Sequence, residues 1–358
     1  MRSDSGSLDM RKIASMAGVS TGEVALVMAG DPRVAPPIRD RVGDAIHAAE
    51  YEPLAAVQAR LGRPLRIANV FKNYRGDDPE ANRFYTPIAA TISLACSKRD
   101  ISVTQVTMAV DENYELLSVP RSLTDGEYDA AFFFGAQLEG PSLHAALAAG
   151  FPLVLVDGYS DNSVVDSVIN DNVAGAKAVV DHLVAAGHRG IAIVGTEPVC
   201  YPSVQERRLG YSEAMASHGL PTHFIDISYV LTEAVAVTTI DYVERHPEVT
   251  AIFAANDLIT VAILGAARAK GYRVPRDLSL VGFDDIDLAS LVMPPLTTVA
   301  IDKPTLGRAA FALMAHRLEV PEAPPVKAVL TPRLVERESV AAPRRRQPPL
   351  PPRLRSTS

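Results

Sequence analysis

The chain has 358 residues, of which 47% are hydrophobic and 22% charged, and its formal net charge is −7 at pH 7. This composition is typical of a globular protein and excludes a fibrous or largely disordered one, and the length allows two or three domains. With no run of about 18 apolar residues, no secretory signal and no disulfide or metal spacing between Cys96 and Cys200, we expect a cytoplasmic protein without a membrane span, cofactor or metal.

Residues 8–53 are predicted to form three short helices, with turn signals at "AGVS" and "AGDPRVAPP". The first two helices have the spacing of a helix-turn-helix, whose second helix reads DNA. Gly18 suits the tight turn, and Ser20 with Glu23 matches the Ser-x-x-Glu capping box that begins a helix. Residues 1–63 contain eight Lys or Arg and eight Asp or Glu. This neutrality disfavours tight binding to phosphates by a single copy.

Residues 54–64, "LAAVQARLGRP", are predicted to be a hinge or linker, and residues 65–338 alternate apolar runs with helical stretches. The predicted strands are 65–71, 101–108, 129–136, 151–157, 166–171, 190–195, 250–256, 278–285, 296–302 and 326–335. The predicted helices are 84–100, 114–123, 141–150, 172–188, 205–219, 233–246, 257–271 and 304–319. Apolar strands separated by helices indicate parallel sheets covered on both faces, and so many strands favour two α/β lobes over one sheet.

Residues 339–358 are rich in Pro and Arg and are predicted to be a disordered tail. The triplet "RRR" within the tail leaves an alternative open, which is attraction to the DNA backbone.

Polar side chains directly follow several of the predicted strands. They are Asp157, Asn256, Asp257, Asp284 and Asp285. Ligands of open parallel sheets bind beyond the carboxyl ends of the strands. We therefore expect these residues to face each other across a cleft between the lobes.

Six stretches, taken in order, resemble the lactose-repressor (LacI/GalR) family of bacterial transcription regulators. They are "KIASMAGVS", "IRDRVGDAIHAAEYEP", "VVDSVINDNVAGAKAVVDHLVAAGHRGIAIV", "RRLGY", "AANDLITVAILGAARAKGYRVPRDLSLVGFDD" and "PPLTTV". Each stretch is weakly specific, but their order and spacing from Met10 to about Val335 are typical of the family.

The resemblance implies an all-α helix-turn-helix headpiece followed by a two-lobed α/β sensor similar to periplasmic binding proteins. It also implies a homodimer, a palindromic operator, and a small-molecule effector, often a sugar or nucleobase, bound between the lobes. The chain of such proteins crosses between the lobes three times. This would place about 66–160 and 303–320 in one lobe, and about 170–299 and 323–338 in the other.

The resemblance implies that the outward residues of the second headpiece helix contact DNA. Here these residues include Thr21, Gly22 and Leu26, next to the capping Ser20. Leu26 replaces a frequent Arg, and Gly22 has no side chain, so bidentate hydrogen bonds to bases are missing. We expect DNA contacts from these residues together with Arg39 in the third helix and Arg60 in the hinge, where the family often has a Leu. The alternative is a headpiece that keeps its fold but binds DNA weakly.

Four polar residues fall at positions that the family uses for effector contact: Asp157, Arg207, Asn256 and Asp284. Carboxylates accept hydrogen bonds from hydroxyls, Asn donates and accepts, and Arg offers a fork of donors. The alternatives are capping for Asp157, Asn256 and Asp284, with Asp257 also able to start its helix, and a surface ion pair for Arg207. A stacking ring for the effector is expected from Phe84 or Tyr85, with Phe71 and Tyr201 as further candidates, and each is equally suited to the core.

Two other functions remain as alternatives at this point. A solute-binding protein, cytosolic or exported, would need only the sensor, with a degenerate headpiece. An enzyme would need a catalytic motif, and none of the common hydrolase, zinc-protease or nucleotide-binding motifs is present. The acids of "FDDIDLAS" lack the oxygen-rich, Gly-punctuated loop that Ca²⁺ prefers, and His182 and His188 are interpreted as surface histidines.

Overall fold

The computed structural model describes residues 10–28, 34–50, 52–73, 83–109, 119–148, 150–160, 164–198, 200–227 and 232–343. Three helices come first: α1 (Met10–Ala17), α2 (Thr21–Met28) and α3 (Pro36–Glu50). They pack around a small core of their own in which Ile13, Val24 and Val42 are 0% exposed. Residues 8, 9, 29–33 and 51 of the predicted headpiece, including most of the turn signal "AGDPRVAPP", lie outside the described residues.

The predicted linker is largely helical, because α4 spans Glu52–Leu61. Its apolar side is buried, with Leu54 and Val57 joining the core of the following α/β region. The side-chain amide of Gln58 donates to the carbonyl of Arg99 at 3.2 Å. The connector is therefore docked on the body of the protein.

Most of the remaining elements match the predicted strands and helices, but the short strands Gln137–Leu138, Tyr159–Ser160 and His223–Ile225 and the short helix Asp287–Leu291 were not predicted. The helices are α5 (Thr86–Ser97), α6 (Arg121–Thr124), α7 (Gly140–Ala148), α8 (Asn172–Ala185), α9 (Pro202–Ser217), α10 (Thr232–Arg245), α11 (Asp257–Ala269), α12 (Asp287–Leu291) and α13 (Lys303–Glu319). The strands are β1 (Arg66–Asn73), β2 (Ser102–Ala109), β3 (Ala130–Phe134), β4 (Gln137–Leu138), β5 (Leu153–Val156), β6 (Tyr159–Ser160), β7 (Asp166–Asn170), β8 (Gly190–Val194), β9 (His223–Ile225), β10 (Val249–Ala254), β11 (Ser279–Asp284), β12 (Thr297–Ala300), β13 (Lys327–Leu330) and β14 (Arg333–Val335).

The strands form two six-stranded sheets and one small two-stranded sheet, β4–β6. The first lobe is built on the order β13-β7-β5-β3-β1-β2, and the second on β14-β12-β11-β10-β8-β9. Every pairing in the two large sheets is parallel except that of β12 with β14. Helices α5 and α13 contact each other on the first lobe, and α8 and α9 do so on the second. The expected two-lobed α/β fold with helix-covered parallel sheets is confirmed.

Two expected boundaries are wrong. We expected 323–338 in the second lobe, but β13 pairs with β7 of the first lobe and only β14 joins the second. Pro332 lies between these strands and has no backbone donor, so the chain leaves one sheet there and enters the other. The disordered tail also begins later than residue 339, because the buried Ser339 bonds to the second sheet on both sides, through Thr297 N and Leu280 O. Residues 344–358 lie outside the described residues.

Several helices begin directly after a strand with an Asx cap. The carboxylate of Asp171 accepts from Ala174 N at 2.8 Å in front of α8, and that of Asp302 accepts from Thr305 N at 2.9 Å in front of α13. These caps satisfy backbone donors at the helix start, so each strand-to-helix connection can be short. They also place polar residues at the carboxyl edges of both sheets.

Of the helix predicted at 114–123, residues 114–118 lie outside the described residues and α6 occupies only Arg121–Thr124. The described residues contain no helix long and apolar enough to cross a bilayer.

Candidate functional site

The headpiece turn has the local structure that its sequence predicts. Gly18 adopts a φ of +63°, and the Ser20 hydroxyl accepts from Glu23 N at 3.2 Å while the Glu23 carboxylate accepts from Ser20 N at 2.7 Å. These hydrogen bonds hold the pKa of Glu23 below its ordinary value. The capping interpretation of Glu23 is confirmed, and the Ser20 side chain is engaged at the start of α2.

The outward side of α2 is exposed but short of hydrogen-bonding groups. Thr21 and Gly22 are exposed, and Leu26 is 42% exposed. Arg39 is exposed on α3, although its Nη2 donates to the carbonyl of Val34 at 2.9 Å. Arg60 is exposed near the end of α4. These side chains remain candidates for DNA contact.

In the first lobe, Asp157 lies directly after β5 with a φ of +49°, an uncommon conformation for a residue other than Gly. Its carboxylate is buried and accepts a hydrogen bond from the Tyr85 hydroxyl at 3.1 Å. Lys72, near the end of β1, is its charged neighbour. Burial raises the pKa of Asp157 and lowers that of Lys72, and their mutual attraction opposes both shifts.

Gly135 follows β3 with a φ of +60°, and its lack of a side chain makes room for Tyr85. A Cβ on this residue would lie 2.2 Å from the Tyr85 hydroxyl oxygen and 3.0 Å from the Lys72 Cε. The close approach of Gly135 therefore fixes where both polar side chains sit beside Asp157.

In the second lobe, Arg207 projects from α9 and is 6% exposed, so the surface ion pair considered for it is wrong. Its guanidinium lies 3.9 Å from the ring centroid of Phe283, and Nη2 donates to the Asp284 carboxylate at 3.1 Å. Nε donates to the Asn172 side-chain oxygen, also at 3.1 Å. Asp284 ends β11 with a φ of +102°. The strand ends therefore present a fixed cation and anion side by side.

Asn256 has a structural task, which was the alternative considered for it. Its side-chain oxygen accepts from Ile259 N at 2.9 Å and caps α11. Asp257 begins the same helix, but its carboxylate accepts from the Thr298 hydroxyl at 2.6 Å and from Ile286 N at 2.9 Å. Burial, with Asp284 nearby, raises the pKa of Asp257 to about 7.

The aromatic candidates differ in their surroundings. Tyr85 is 7% exposed and bonds to Asp157, whereas Phe84 is partly exposed with its ring edge-on to Tyr85 at 5.0 Å. Phe71 stacks on Phe134 at 4.6 Å and belongs to the periphery of the core. Tyr201 differs from the other three, because it comes from the second lobe and reaches the first.

Several side chains bridge the two lobes at this edge. The Tyr201 hydroxyl donates to the carbonyl of Asp157 at 2.7 Å, and the Lys72 ammonium lies 4.0 Å from the centroid of the Tyr201 ring. The Tyr159 hydroxyl donates to the Glu206 carboxylate at 2.8 Å. Lys303, at the start of α13, donates to the carbonyl of Asp285 at 3.2 Å and to that of Asp284. The predicted cleft is thus a contact zone of polar and aromatic groups.

Four residues of this zone were missed in the sequence: Lys72, Tyr159, Glu206 and Lys303. Lys72 had the same signal as Asp157, a polar residue near the carboxyl end of an apolar strand. Glu206 precedes Arg207, and Lys303 follows the cap Asp302, but nothing in their local pattern indicates which way the side chains point. The acids of "FDDIDLAS" have separate partners, since Asp285 pairs with Arg337 at 2.6 Å and Asp284 with Arg207.

The interpretation of His188 as a surface residue is wrong. His188 is 1% exposed, and its ring bonds to Thr250 at 2.8 Å, to Ser279 at 3.0 Å and to the carbonyl of Ala341 at 3.0 Å. Burial lowers its pKa to about 4. The ring joins β10, β11 and the segment after β14, which explains why the chain around Ala341 is held to the second lobe.

Comparisons with known proteins agree with this architecture. Residues 180–340 match the family model described as a periplasmic binding protein-like domain. The HTH-type transcriptional regulator CelR of Thermobifida fusca is 29% identical over 336 residues, covering 92% of this chain and 97% of the relative. The ribose operon repressor of Haemophilus influenzae is 28% identical over 339 residues, covering 92% of this chain and 98% of the relative.

Among solved structures, a transcriptional regulator CelR–cellobiose complex is similar to this chain with a TM-score of 0.65 and 26% identity. The match covers 93% of this chain and 100% of the solved one. It therefore includes the region of the headpiece as well as both lobes. The relatives are transcription regulators rather than enzymes.

Proposed function

Because the chain belongs to the lactose-repressor (LacI/GalR) family of transcription regulators, we propose that it is a DNA-binding transcriptional repressor controlled by a small-molecule effector. The effector is a sugar or a related polar metabolite bound between the lobes. The repressor acts as a homodimer on a palindromic operator, and it works in the cytoplasm, where the DNA is.

The observation that carries the proposal is the buried polar zone where the carboxyl ends of both sheets meet. Asp157 and Lys72 come from the first lobe, and Arg207 and Asp284 from the second. Ionised acceptors and donors held in a low-dielectric site suit the many hydroxyls of a sugar, each of which donates and accepts. The ring of Tyr201 offers an apolar face for the C–H groups of the same ligand. The known ligand of a similar regulator, cellobiose, has this chemistry.

On the DNA side, we assign the contacts to Thr21, Gly22 and Leu26 of α2, together with Arg39 on α3. Arg60 is assigned to a narrow minor groove, where the family often has a Leu. Leu26 has only apolar atoms to offer, and the thymine methyl group is the base feature that such a side chain recognises in the major groove. The operator preference is therefore expected to rest on A·T pairs and DNA shape more than on bidentate hydrogen bonds. Since the segment 1–63 is neutral, two headpieces acting together are needed for useful affinity.

Exposed apolar side chains on the second lobe suit the dimer. Leu291 is 77% exposed and Met293 is 67% exposed, two residues apart in the chain. Burying such a pair against a second copy removes apolar surface from water, at roughly 25 cal/mol per Å². The two-fold axis of the dimer then matches the two halves of a palindrome.

The effector acts by shifting the population of lobe arrangements. An effector that binds one arrangement better than the other moves the equilibrium only as far as its two affinities differ. The connector α4 transmits this change because Leu54 and Val57 anchor it in the core beside the first lobe. A change in that lobe therefore moves the headpiece, which is joined to the lobe through α4.

Selection of bound fragments from genomic DNA by the purified full-length protein tests the proposal. It is run at two salt concentrations, because phosphate contacts make affinity salt-dependent. We expect a palindromic motif, lost in Leu26→Asp and kept in Val237→Asp, which changes an exposed apolar residue on α10. A thermal-shift screen with sugars and nucleobases then identifies the effector, because a ligand that binds the native state raises the melting temperature.

The absence of any enriched sequence at both salt concentrations would contradict the proposal for the headpiece. If sugars nevertheless shift the melting temperature, the chain is a solute-binding protein with a degenerate headpiece. Turnover of a sugar by the purified protein would instead indicate an enzyme.

A further inference from the structure

Two histidines and a glutamate come together in the second lobe, away from the inter-lobe zone. His223 begins β9, and His246 and Glu248 lie between α10 and β10. One candidate ligand atom from each residue lies within 4.8 Å of the other two. They sit where β9 and β10 begin, whereas the effector zone lies where the strands end. We propose that these three residues form a transition-metal site that binds Zn²⁺.

The ring of His223 is arranged as in a metal ligand. Its Nδ1 lies 3.2 Å from the hydroxyl of Tyr242, and its Nε2 is buried and has no hydrogen-bond partner among the described residues. In metal sites, a ligating histidine usually bonds through one nitrogen to a second group, which fixes the tautomer and leaves the other nitrogen for the metal. A buried polar atom without a partner is costly, and a metal ion would remove that cost.

The other two ligands are already close together. The Nδ1 of His246 lies 3.1 Å from the Glu248 carboxylate oxygen, and two ligands on a tetrahedral zinc ion with bonds of about 2.1 Å lie about 3.4 Å apart. The His246 ring stacks on Tyr242 with centroids 4.1 Å apart, so Tyr242 positions both histidines. Glu248 is 53% exposed, which leaves its side chain free of the packing that would prevent a small adjustment.

The donor set selects the class of metal. Two imidazole nitrogens and one carboxylate oxygen suit Zn²⁺, Cu²⁺ or Ni²⁺, whereas Ca²⁺ and Mg²⁺ prefer oxygen ligands only. Three protein ligands leave at least one coordination position to water, so the ion would be exchangeable. Bound there, it links the edge strand β9 to the connection in front of β10.

Zinc titration of the tag-free, chelator-treated full-length protein, in competition with a chromogenic chelator, tests the site. We expect one ion per chain, and a loss of zinc affinity of at least tenfold in both His223→Ala and His246→Ala. Substitution of Co²⁺ gives an independent readout, a visible d–d band that both variants lose. The matched control is His218→Ala, which changes a histidine of the same lobe that pairs with Asp181 at 2.7 Å. The zinc affinity of His218→Ala should equal that of the parent protein.

Tyr242→Phe separates the metal site from a purely structural cluster. This variant keeps the ring that stacks on His246 but removes the hydroxyl that orients His223. Loss of such an outer partner typically lowers metal affinity about 10–100-fold. The proposal would be overturned if the parent protein binds no zinc at concentrations up to about 100 µM, which corresponds to a weak dissociation constant. Zinc binding that survives unchanged in both histidine variants would overturn it equally.

Discussion

Arg207 and Asp284 form an ion pair with 3.1 Å between Nη2 and Oδ1, in which the side chains are only 7% and 14% exposed. Because Nε of the same guanidinium is held by Asn172 and the ring of Phe283 lies beneath it, the geometry of the pair is fixed before any ligand arrives. These two side chains are therefore preorganised for a ligand, and preorganisation lowers the free-energy cost of ordering side chains on binding.

We expect Asp284→Asn to weaken effector binding by about tenfold or more, because hydrogen bonds to charged groups contribute about 1.5–3 kcal/mol. The measurement is the melting-temperature shift, or calorimetry, with the effector found by screening. The control is Asp277→Asn, which alters the exposed ion pair with Arg273 in the same lobe and leaves binding unchanged. If the two variants bind the effector with equal affinity, Asp284 does not contribute to effector binding.

Gly135→Ala is expected to disturb the first-lobe side of the zone. The new Cβ would overlap the Tyr85 hydroxyl, so Tyr85 must move and the Asp157 carboxylate loses the hydrogen bond from Tyr85. Gly126→Ala is the matched control, since Gly126 also has a positive φ, +76°, but no atom within 4 Å of the new Cβ. Both variants carry a backbone strain of about 1–2 kcal/mol. Only Gly135→Ala should also lower effector affinity. Equal affinity in the two variants would mean that the position of Tyr85 does not affect effector binding.

Effector affinity is expected to pass through a maximum near neutral pH. Burial raises the pKa of Asp157 above its ordinary value, so the carboxylate is protonated as the pH falls towards the acid side. Burial lowers the pKa of Lys72 below its ordinary value, so the ammonium loses its proton as the pH rises. Affinity should then fall by up to tenfold per pH unit on either side. Calorimetry from pH 5 to 9 measures this; Asp157→Asn should flatten the acid side and Lys72→Met the alkaline side.

The buried His188 is expected to make the second lobe acid-sensitive. Its pKa is about 4 in the folded chain against an ordinary 6.5, so the unfolded chain binds more protons between these values. The free energy of unfolding therefore falls as the pH drops from 6.5 towards 4, by about 1.4 kcal/mol per unit at most, and is unaffected above pH 7. Urea unfolding at pH 7.5 and 5 measures the loss.

His188→Gln should unfold more easily at pH 7.5 but lose less between the two pH values than the parent. His218→Ala, an exposed control, should keep the parental pH dependence. If His188→Gln shows the same loss on acidification as the parent, another group is responsible for it.

The sequence could predict the alternation of strands and helices because buried parallel strands are continuous apolar runs. It could also indicate Asp157 and Asp284, to which the strand-end rule and the family pattern both apply, whereas Arg207, on a helix, was indicated by the family pattern alone. It could not predict the task of Asn256, because capping and ligand contact need the same side-chain chemistry. The two strands within 326–335 appeared as one because both are apolar, and the change of sheet at Pro332 depends on tertiary packing.

The inter-lobe zone held further residues that local patterns do not reveal. Lys303 and Glu206 lie on helices, and which partner each meets depends on how the two lobes approach each other. His188 looked like a surface residue because it follows "AAG" at a helix end, yet the chain after β14 returns to cover it. Contacts between segments far apart in sequence leave no periodic signal.

The hydrogen bond from Tyr201 to the backbone carbonyl of Asp157 places a phenol ring inside the zone that we propose for the effector. A metabolite bound at the proposed site would displace this ring or pack against it, and its observed dissociation constant would include the cost of that exchange. If that cost is about 1 kcal/mol, the typical net value of one hydrogen bond, the constant rises roughly fivefold. A regulator whose proposed site carries this extra cost needs a correspondingly higher effector concentration to respond.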